Sequence, residues 1–384
     1  MPASVATVER PSQIAPHFQR TRQPPTGKPL AAARVPELDG VRGTAIILVL
    51  LYHFAGDLPQ NRILAHTVAF GWAGVNLFFV LSGFLITGIL IRTRHRSDYF
   101  TAFYLRRSLR IFPVYYATLA FLLIAGSFIP GINAILPPGH DRIWFWLYLS
   151  NWTPLLEHLN QNALGHFWSL AVEEQFYWMW PLIVFWVNPK KLSRVACGIF
   201  LSALLLRIVF IDHHYLIRWN TFCQTDGLMA GALLAIASRN SNPGRLPAAR
   251  TIFIIAIIGA GVCTGDYLFG QKFTDTLGLT ALAVAFAGLL RYVVSGPPTV
   301  RKLFRSPVLT AAGKYSYGIY VYHQPIYLAM LHFAWVPRGW PTLVASLTAT
   351  AVTAVLSYEL LEKHILGLKD RVSHQQTARC QITV

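Results

Sequence analysis

Long apolar stretches recur along the chain between residues 41 and 362. Ten of them are long enough, or nearly long enough, to cross a bilayer as helices, which takes about 20 residues. They are predicted at 41–56, 71–91, 111–130, 165–187, 195–211, 222–238, 251–270, 276–294, 308–335 and 341–362. The aromatic-rich run 143–149 is too short to span and suits the membrane interface. The pattern predicts an all-α, polytopic integral membrane protein with about ten transmembrane helices, forming one domain over residues 37–366.

Basic residues alternate from side to side along this pattern. Of the 33 Lys and Arg, 26 fall in every second connection and at the two chain ends, whereas six, Arg207 among them, fall on the opposite side. Lys and Arg collect in cytoplasmic loops, so both termini are predicted to be cytoplasmic. Topology therefore explains the net charge of +17 without nucleic acid binding. With 54% hydrophobic and 13% charged residues, the chain does not fit a soluble globular domain.

The two ends of the chain differ from the apolar region. Residues 1–36 are rich in proline and arginine and contain no apolar run before a cleavage site, which predicts a flexible, basic cytoplasmic tail without a signal peptide. Residues 367–384 are predicted to be a C-terminal cytoplasmic tail. The four cysteines lack the spacing of a zinc site or a disulfide framework, so no metal is expected. The function is therefore predicted to lie within the spans and their short connections.

Ionisable residues inside the predicted spans are candidate functional groups, because a membrane penalises them unless they line a cavity or pair. Arg42 and His53 are eleven residues apart, which places them on one helix face about 16 Å apart. A guanidinium suits phosphate, and an imidazole can accept a proton. A histidine at this depth can instead have a purely structural role, forming a hydrogen bond between two helices. Arg107 and Arg110 cluster before the third span and could bind a phosphate-bearing ligand, or could serve only as topology signals.

Two later spans carry further polar groups. Glu173 and Glu174 are adjacent in the fourth span, so at least one should face a polar cavity, where a carboxylate could pair with His53 and orient it. The ninth span carries a polar stripe at helical spacing, formed by Ser316, Tyr320, His323 and Tyr327. Tyrosines at this depth can also serve packing alone. Weaker candidates are Asn76, Ser82 and Asp226.

Five sequence blocks, taken in order, resemble the membrane acyltransferase 3 family of integral-membrane O-acyltransferases. The blocks are ELDGVRGTAIILVLLYHF at 37–54, GVNLFFVLSGFLITGIL at 74–90, FYLRRSLRIFPVYY at 103–116, HFWSLAVEEQFYWMWP at 166–181 and GKYSYGIYVYHQPI at 313–326. The family's Arg-x10-His pattern falls on Arg42 and His53, and its Arg-x-x-Arg pattern falls on Arg107 and Arg110. Its Ser-Leu-x-x-Glu pattern falls on Glu173. Its Tyr-x-x-His pattern falls on Tyr320 and His323. At Asn76 many relatives carry Asp; an amide cannot ionise, which speaks against a proton-relay role here.

The resemblance implies a cytoplasmic acyl-CoA, most simply acetyl-CoA, as co-substrate, with its phosphates on Arg42, Arg107 and Arg110 and no permanently bound cofactor. It implies that His53 is the general base on an acceptor hydroxyl, or less directly an acyl carrier. Glu173 would orient His53. The remaining pair, Tyr320 and His323, would donate hydrogen bonds to the developing oxyanion.

The implied function is O-acylation of a carbohydrate or glycolipid acceptor at the bacterial cytoplasmic membrane. The acceptor could be a surface polysaccharide, a lipid-linked glycan or a secreted glycoside. Two alternatives stay open. Polar residues at mid-membrane and a proline-kinked helix also describe a transporter. The chain could also translocate an acyl group to a separate periplasmic transferase without completing the acylation.

Overall fold

The computed structural model describes residues 35–54, 70–152, 162–240 and 270–367, with isolated positions between them. In these ranges the regular structure is helical throughout. The principal helices are α1 (Pro36–Phe54), α2 (Phe70–Thr93), α3 (Tyr99–Phe128), α4 (Pro130–Ile135), α5 (Arg142–Trp146), α6 (Phe167–Trp186), α7 (Pro189–Val209), α8 (His214–Trp219), α9 (Thr221–Asn240), α10 (Gln271–Ser295), α11 (Pro298–Phe304), α12 (Pro307–Phe333) and α13 (Trp340–Gly367). The prediction of an all-α fold is confirmed for the described part of the chain.

Nine long helices lie over nine of the ten predicted spans. The tenth, predicted at 251–270, lies for the most part outside the described residues, as do nearly all of the two predicted tails. Five helices, α2, α3, α7, α10 and α13, are long and apolar enough to cross a membrane. The other four long helices, α1, α6, α9 and α12, are not among these five, and they carry most of the polar candidates.

Two helices differ from their predicted extents in ways that affect the site. Helix α3 begins at Tyr99, twelve residues before the predicted span 111–130. Arg107 and Arg110 therefore lie well inside a continuous helix rather than at its start. Helix α1 begins at Pro36, five residues before the predicted span 41–56, and runs to Phe54 without a break at Gly43.

Gly43 instead allows α1 and α12 to cross at very short range. A Cβ atom built on Gly43 would lie 2.0 Å from the carbonyl oxygen of Leu309. Gly83 does the same between α2 and α9, where a Cβ would lie 1.9 Å from the Leu228 carbonyl oxygen. Small residues that let helix backbones approach closely are a common device of helix packing in membranes. The two crossings fix how α1 and α2 are rotated, and hence where their polar side chains point.

The Gly43→Ala variant is expected to be destabilised by about 1–3 kcal/mol, the usual cost of overpacking, because its methyl group meets backbone that cannot rotate away. The matched control is Gly88→Ala in α2, where the nearest atom to a new Cβ is the end of the Arg92 side chain at 3.6 Å. Thermal unfolding of the detergent-solubilised proteins measures both. Equal midpoints for Gly43→Ala and the wild type would contradict the close crossing.

Arg207 is buried where α7, α9 and α10 meet. The charge pattern instead predicts that Arg207 lies in a connection on the outer side of the membrane. Its side chain is 0% exposed and Nη2 donates to Asp226 Oδ2 at 2.6 Å. Nη1 donates to the Cys223 carbonyl, and Nη2 also contacts the Thr280 hydroxyl of α10. The physical reason is that Asp226, on the neighbouring helix α9, offers a buried counter-charge. Arg207 thus ties α7 to α9 and α10.

The Arg207→Met variant is expected to lose about 3–5 kcal/mol of stability, because it leaves the Asp226 carboxylate buried without its counter-charge. Replacing both residues, as in Arg207→Met with Asp226→Leu, should recover a large part of that loss. Thermal unfolding of the single and double variants, measured side by side, tests this. A double variant as unstable as the single one would show that packing, not the ion pair, sets the loss.

Candidate active site

A first cavity, here called the arginine cavity, lies among α1, α2, α3, α6 and α12. It measures about 100 Å³. Its polar wall is formed by Arg42, Ser82, Arg107, Arg110, Glu173 and Tyr177. The three arginines singled out in the sequence therefore line one space, although they come from two helices far apart in the chain.

Two of the three guanidinium groups in this cavity form no direct ion pair with a carboxylate among the described residues. Arg42 is paired, since its Nη1 donates to Asp39 Oδ1 at 3.0 Å. Within the described ranges, neither Arg107 nor Arg110 forms an ion pair. The Arg107 guanidinium lies over the Tyr177 ring, 5.5 Å from its centroid. Such positively charged groups in a concave, partly buried space suit a ligand that carries phosphate.

Glu173 belongs to the arginine cavity, and its predicted pairing with His53 is wrong. Glu173 Oε1 accepts a hydrogen bond from the Ser82 hydroxyl at 2.9 Å, and Oε2 accepts one from the Tyr177 hydroxyl at 3.0 Å. The reason is its depth in α6, where it lies seven residues, or about 10 Å, from the His166 end of the helix that approaches His53. Its neighbour Glu174 also lines the cavity, and Glu174 Oε1 has no hydrogen-bond partner among the described residues.

A second cavity, here called the histidine cavity, contains His53. It measures about 210 Å³, twice the size of the first. Its lining includes His53, Trp72, Asn76, His166, Trp168 and Gln224, with a rim from α8 and α10. Asn76 Nδ2 is buried in this wall and has no hydrogen-bond partner in the described part of the chain. The cavity thus combines aromatic faces with a small number of polar groups.

His53 has the proton arrangement that a general base needs. Its Nδ1 lies 3.0 Å from the carbonyl oxygen of Val49, one turn earlier in α1. A carbonyl can only accept, so Nδ1 carries the hydrogen and Nε2 keeps its lone pair. The group that orients His53 is therefore its own helix backbone rather than a carboxylate.

His323 and Tyr320 support this site, but their bonds do not fit the predicted role as oxyanion donors. The His323 ring lies 4.9 Å from the His53 ring and 4.6 Å from the His166 ring, centroid to centroid. His323 Nδ1 donates to the Tyr320 carbonyl at 2.6 Å. The Tyr320 hydroxyl donates to the His166 carbonyl at 2.8 Å and lies 2.5 Å from Ser169 Oγ. The hydrogen on His323 Nδ1 and the hydroxyl hydrogen of Tyr320 are thus already donated to backbone carbonyls of the protein.

The two cavities share a wall. Val75 of α2 and Tyr320 of α12 line both of them. Because Arg42 and His53 lie on one face of α1, that helix connects the arginine cavity to the histidine cavity. Val75 and Tyr320 therefore form a boundary that the arginine cavity and the histidine cavity have in common.

His166 lines the histidine cavity but is not among the site residues predicted from the sequence. His166, Ser169, Glu173 and Tyr177 recur at i, i+3, i+7 and i+11, the same kind of polar stripe that was recognised in α12. His166 lines the histidine cavity, and the other three line the arginine cavity. The sequence signal for these four residues is the helical periodicity of the α6 segment and not its pair of adjacent carboxyls. Among the described residues, no group of three potential metal ligands converges.

Residues 35–361 match the family described as an acyltransferase domain, and the chain belongs to this family. The resemblance seen in the sequence is thereby confirmed. The chain is similar to the peptidoglycan O-acetyltransferase OatA of Listeria monocytogenes, with 31% identity over 363 residues, covering 86% of this chain and 56% of the relative. It is also similar to the O-acetyltransferase OatA of Staphylococcus aureus, with 27% identity over 355 residues, covering 86% of this chain and 57% of the relative.

The chain spans a little over half the length of these curated relatives. No solved structure matches it.

Proposed function

We propose that the chain is a membrane O-acetyltransferase that transfers an acetyl group from cytoplasmic acetyl-CoA to a hydroxyl of a cell-envelope glycan. The family supports acyl transfer, and the name of the Listeria relative makes peptidoglycan the first acceptor to test. The bacterial cytoplasmic membrane is the proposed location. The observation that carries the proposal is the pair of adjoining cavities, one rich in arginine and one built around His53, with Tyr320 and Val75 between them.

In this proposal the arginine cavity holds the phosphates of acetyl-CoA on Arg107, Arg110 and Arg42. The pantetheine arm extends past Tyr320, which brings the thioester toward His53. His53 Nε2 takes the proton of the acceptor hydroxyl, whose oxygen attacks the thioester carbonyl carbon. The bond from carbon to sulfur then breaks, and the proton passes to the coenzyme A thiolate. The unpartnered Asn76 Nδ2, in the same cavity as His53, would donate a hydrogen bond to the oxyanion, in the role first predicted for Tyr320 and His323.

We further propose that α1, α6, α9, α12 and the segment 251–270 also cross the membrane, giving ten spans with both termini cytoplasmic. Contacts between helix ends support this arrangement. Glu37 at the start of α1 pairs with Arg301 and Arg305, at 2.9 and 2.7 Å. Lys314 in α12 pairs with Glu359 in α13 at 3.1 Å. Each contact joins chain segments that the charge pattern assigns to the cytoplasmic side.

Sided membrane vesicles test the proposed reaction. Radiolabelled acetyl-CoA is supplied to inverted vesicles, which expose the cytoplasmic face, and to right-side-out vesicles from the same cells. Label should appear in the glycan fraction only from inverted vesicles, and only when the protein is present. Equal labelling with and without the protein, with the donor intact, would contradict acetyl transfer.

The same vesicles separate the two alternatives. A transporter would move its substrate with no acetyl-CoA present. An acyl translocator would label the glycan in vesicles, but the purified protein with acetyl-CoA and glycan strands would form no ester. Ester formation by the purified protein alone supports the proposed transferase.

A further inference from the structure

The histidine cavity continues past His53 to a rim that the proposed chemistry does not use. Tyr215 of α8 is 40% exposed at this rim. The buried Trp219 lies beside it, with ring centroids 5.4 Å apart. Gln271, at the start of α10, is exposed and lines the same cavity. The rim thus offers flat apolar faces and an amide at the open end of the space that contains the proposed base.

The rim is held in place by a neutralised charge cluster. The Arg218 guanidinium lies over the Trp72 ring, 4.5 Å from its centroid, which is cation–π geometry. Arg218 Nε donates to Asp275 Oδ1 at 2.6 Å, and the other carboxylate oxygen bonds His214 Nδ1. Because Asp275 already offsets the arginine, the rim carries little charge for an anion to exploit. These contacts instead hold the Trp72 indole and the Arg218 guanidinium in fixed orientations.

We propose that this rim, formed by Trp72, Tyr215, Arg218, Trp219 and Gln271, binds a neutral sugar ring of the acceptor glycan. The inference rests on the proposed function and names the substrate class of the same site. A sugar ring has an apolar face of C–H groups and an edge of hydroxyls. Aromatic faces bury the first, and an amide and a guanidinium can bond the second. A ring bound here lies in the same cavity as His53, so the glycan hydroxyls reach the base.

Direct binding without acetyl-CoA tests the site. The protein is placed in nanodiscs and titrated with two radiolabelled probes, a tetramer of β-1,4-linked N-acetylglucosamine and muramidase-released peptidoglycan strands. We expect the wild type to bind at least one probe. Tyr215→Ala and Gln271→Ala should each weaken that binding by about tenfold, the effect of losing one stacking or hydrogen-bonding contact. Trp335→Ala is the matched control, because Trp335 is 65% exposed and lines neither cavity.

The outcomes separate this site from the proposed reaction. Equal binding by the wild type and all three variants would overturn the rim as the sugar site. Failure of the wild type to bind either probe would overturn the saccharide as its occupant. Acetyl transfer from acetyl-CoA is measured on the same preparations. A wild type that binds glycan in a rim-dependent way but transfers no acetyl group would contradict the proposed function while leaving the sugar site intact.

Discussion

The His53→Ala variant is expected to lose acetyl transfer by about 100-fold or more, because a positioned general base contributes about 10²–10⁴-fold to such a step. The geometry gives the reason. The Val49 carbonyl lies 3.0 Å from Nδ1 and holds the hydrogen there, so Nε2 keeps the lone pair that accepts a proton. Label transfer from acetyl-CoA to glycan by the purified protein measures the loss. Membrane insertion should be unchanged, because His53 contributes no ion pair to the described structure.

Two comparisons distinguish the loss of the catalytic base from a loss of folding. His332→Ala removes an exposed histidine of α12 that lines neither cavity, and it should leave the rate unchanged. Added imidazole should restore part of the activity of His53→Ala, which a merely structural histidine would not allow. Normal turnover by His53→Ala would remove it as the base. Acetyl label trapped covalently on the wild type but not on the variant would instead identify His53 as an acyl carrier.

The shared helix face of Arg42 and His53 illustrates what periodicity along the chain can provide. Both side chains belong to α1, so 3.6 residues per turn and the spacing of eleven are enough to place one below the other. The long apolar runs likewise mark the positions of the described long helices, because length and hydropathy are local properties. The same local reasoning identified the polar stripe of α12 that contains Tyr320 and His323.

Partners across helices could not be obtained in this way. Glu173 meets Ser82, 91 residues away, because α2 and α6 are neighbours at that depth. Arg207 turns inward to Asp226 for a similar reason. Which face of a helix meets which neighbour depends on crossing geometry, and here the crossings depend on glycines such as Gly83, whose contact is with a distant backbone carbonyl. No periodic signal in one helix carries that information.

Removing the charges of Arg107 and Arg110 together is expected to raise the KM for acetyl-CoA by about 100-fold or more, because two charged contacts are lost, with little change in kcat. A hydrogen bond to a charged group contributes about 1.5–3 kcal/mol, and each 1.4 kcal/mol corresponds to about tenfold in affinity. The change falls on the donor because both groups line the arginine cavity, away from His53. Initial rates at varied acetyl-CoA and saturating glycan measure it on the Arg107→Ala, Arg110→Ala double variant.

Arg106→Ala is the matched control for this prediction. Arg106 is the neighbour of Arg107 in α3, but it lines neither cavity. Its loss should therefore leave the KM for acetyl-CoA and the KM for the glycan unchanged. The competing explanation, in which these arginines only set topology, makes a different prediction. The double variant would then insert with altered orientation, visible by protease accessibility, while its correctly inserted fraction kept the wild-type KM for acetyl-CoA. That combination would remove the donor role of both arginines, since a phosphate contact cannot be lost without weaker donor binding.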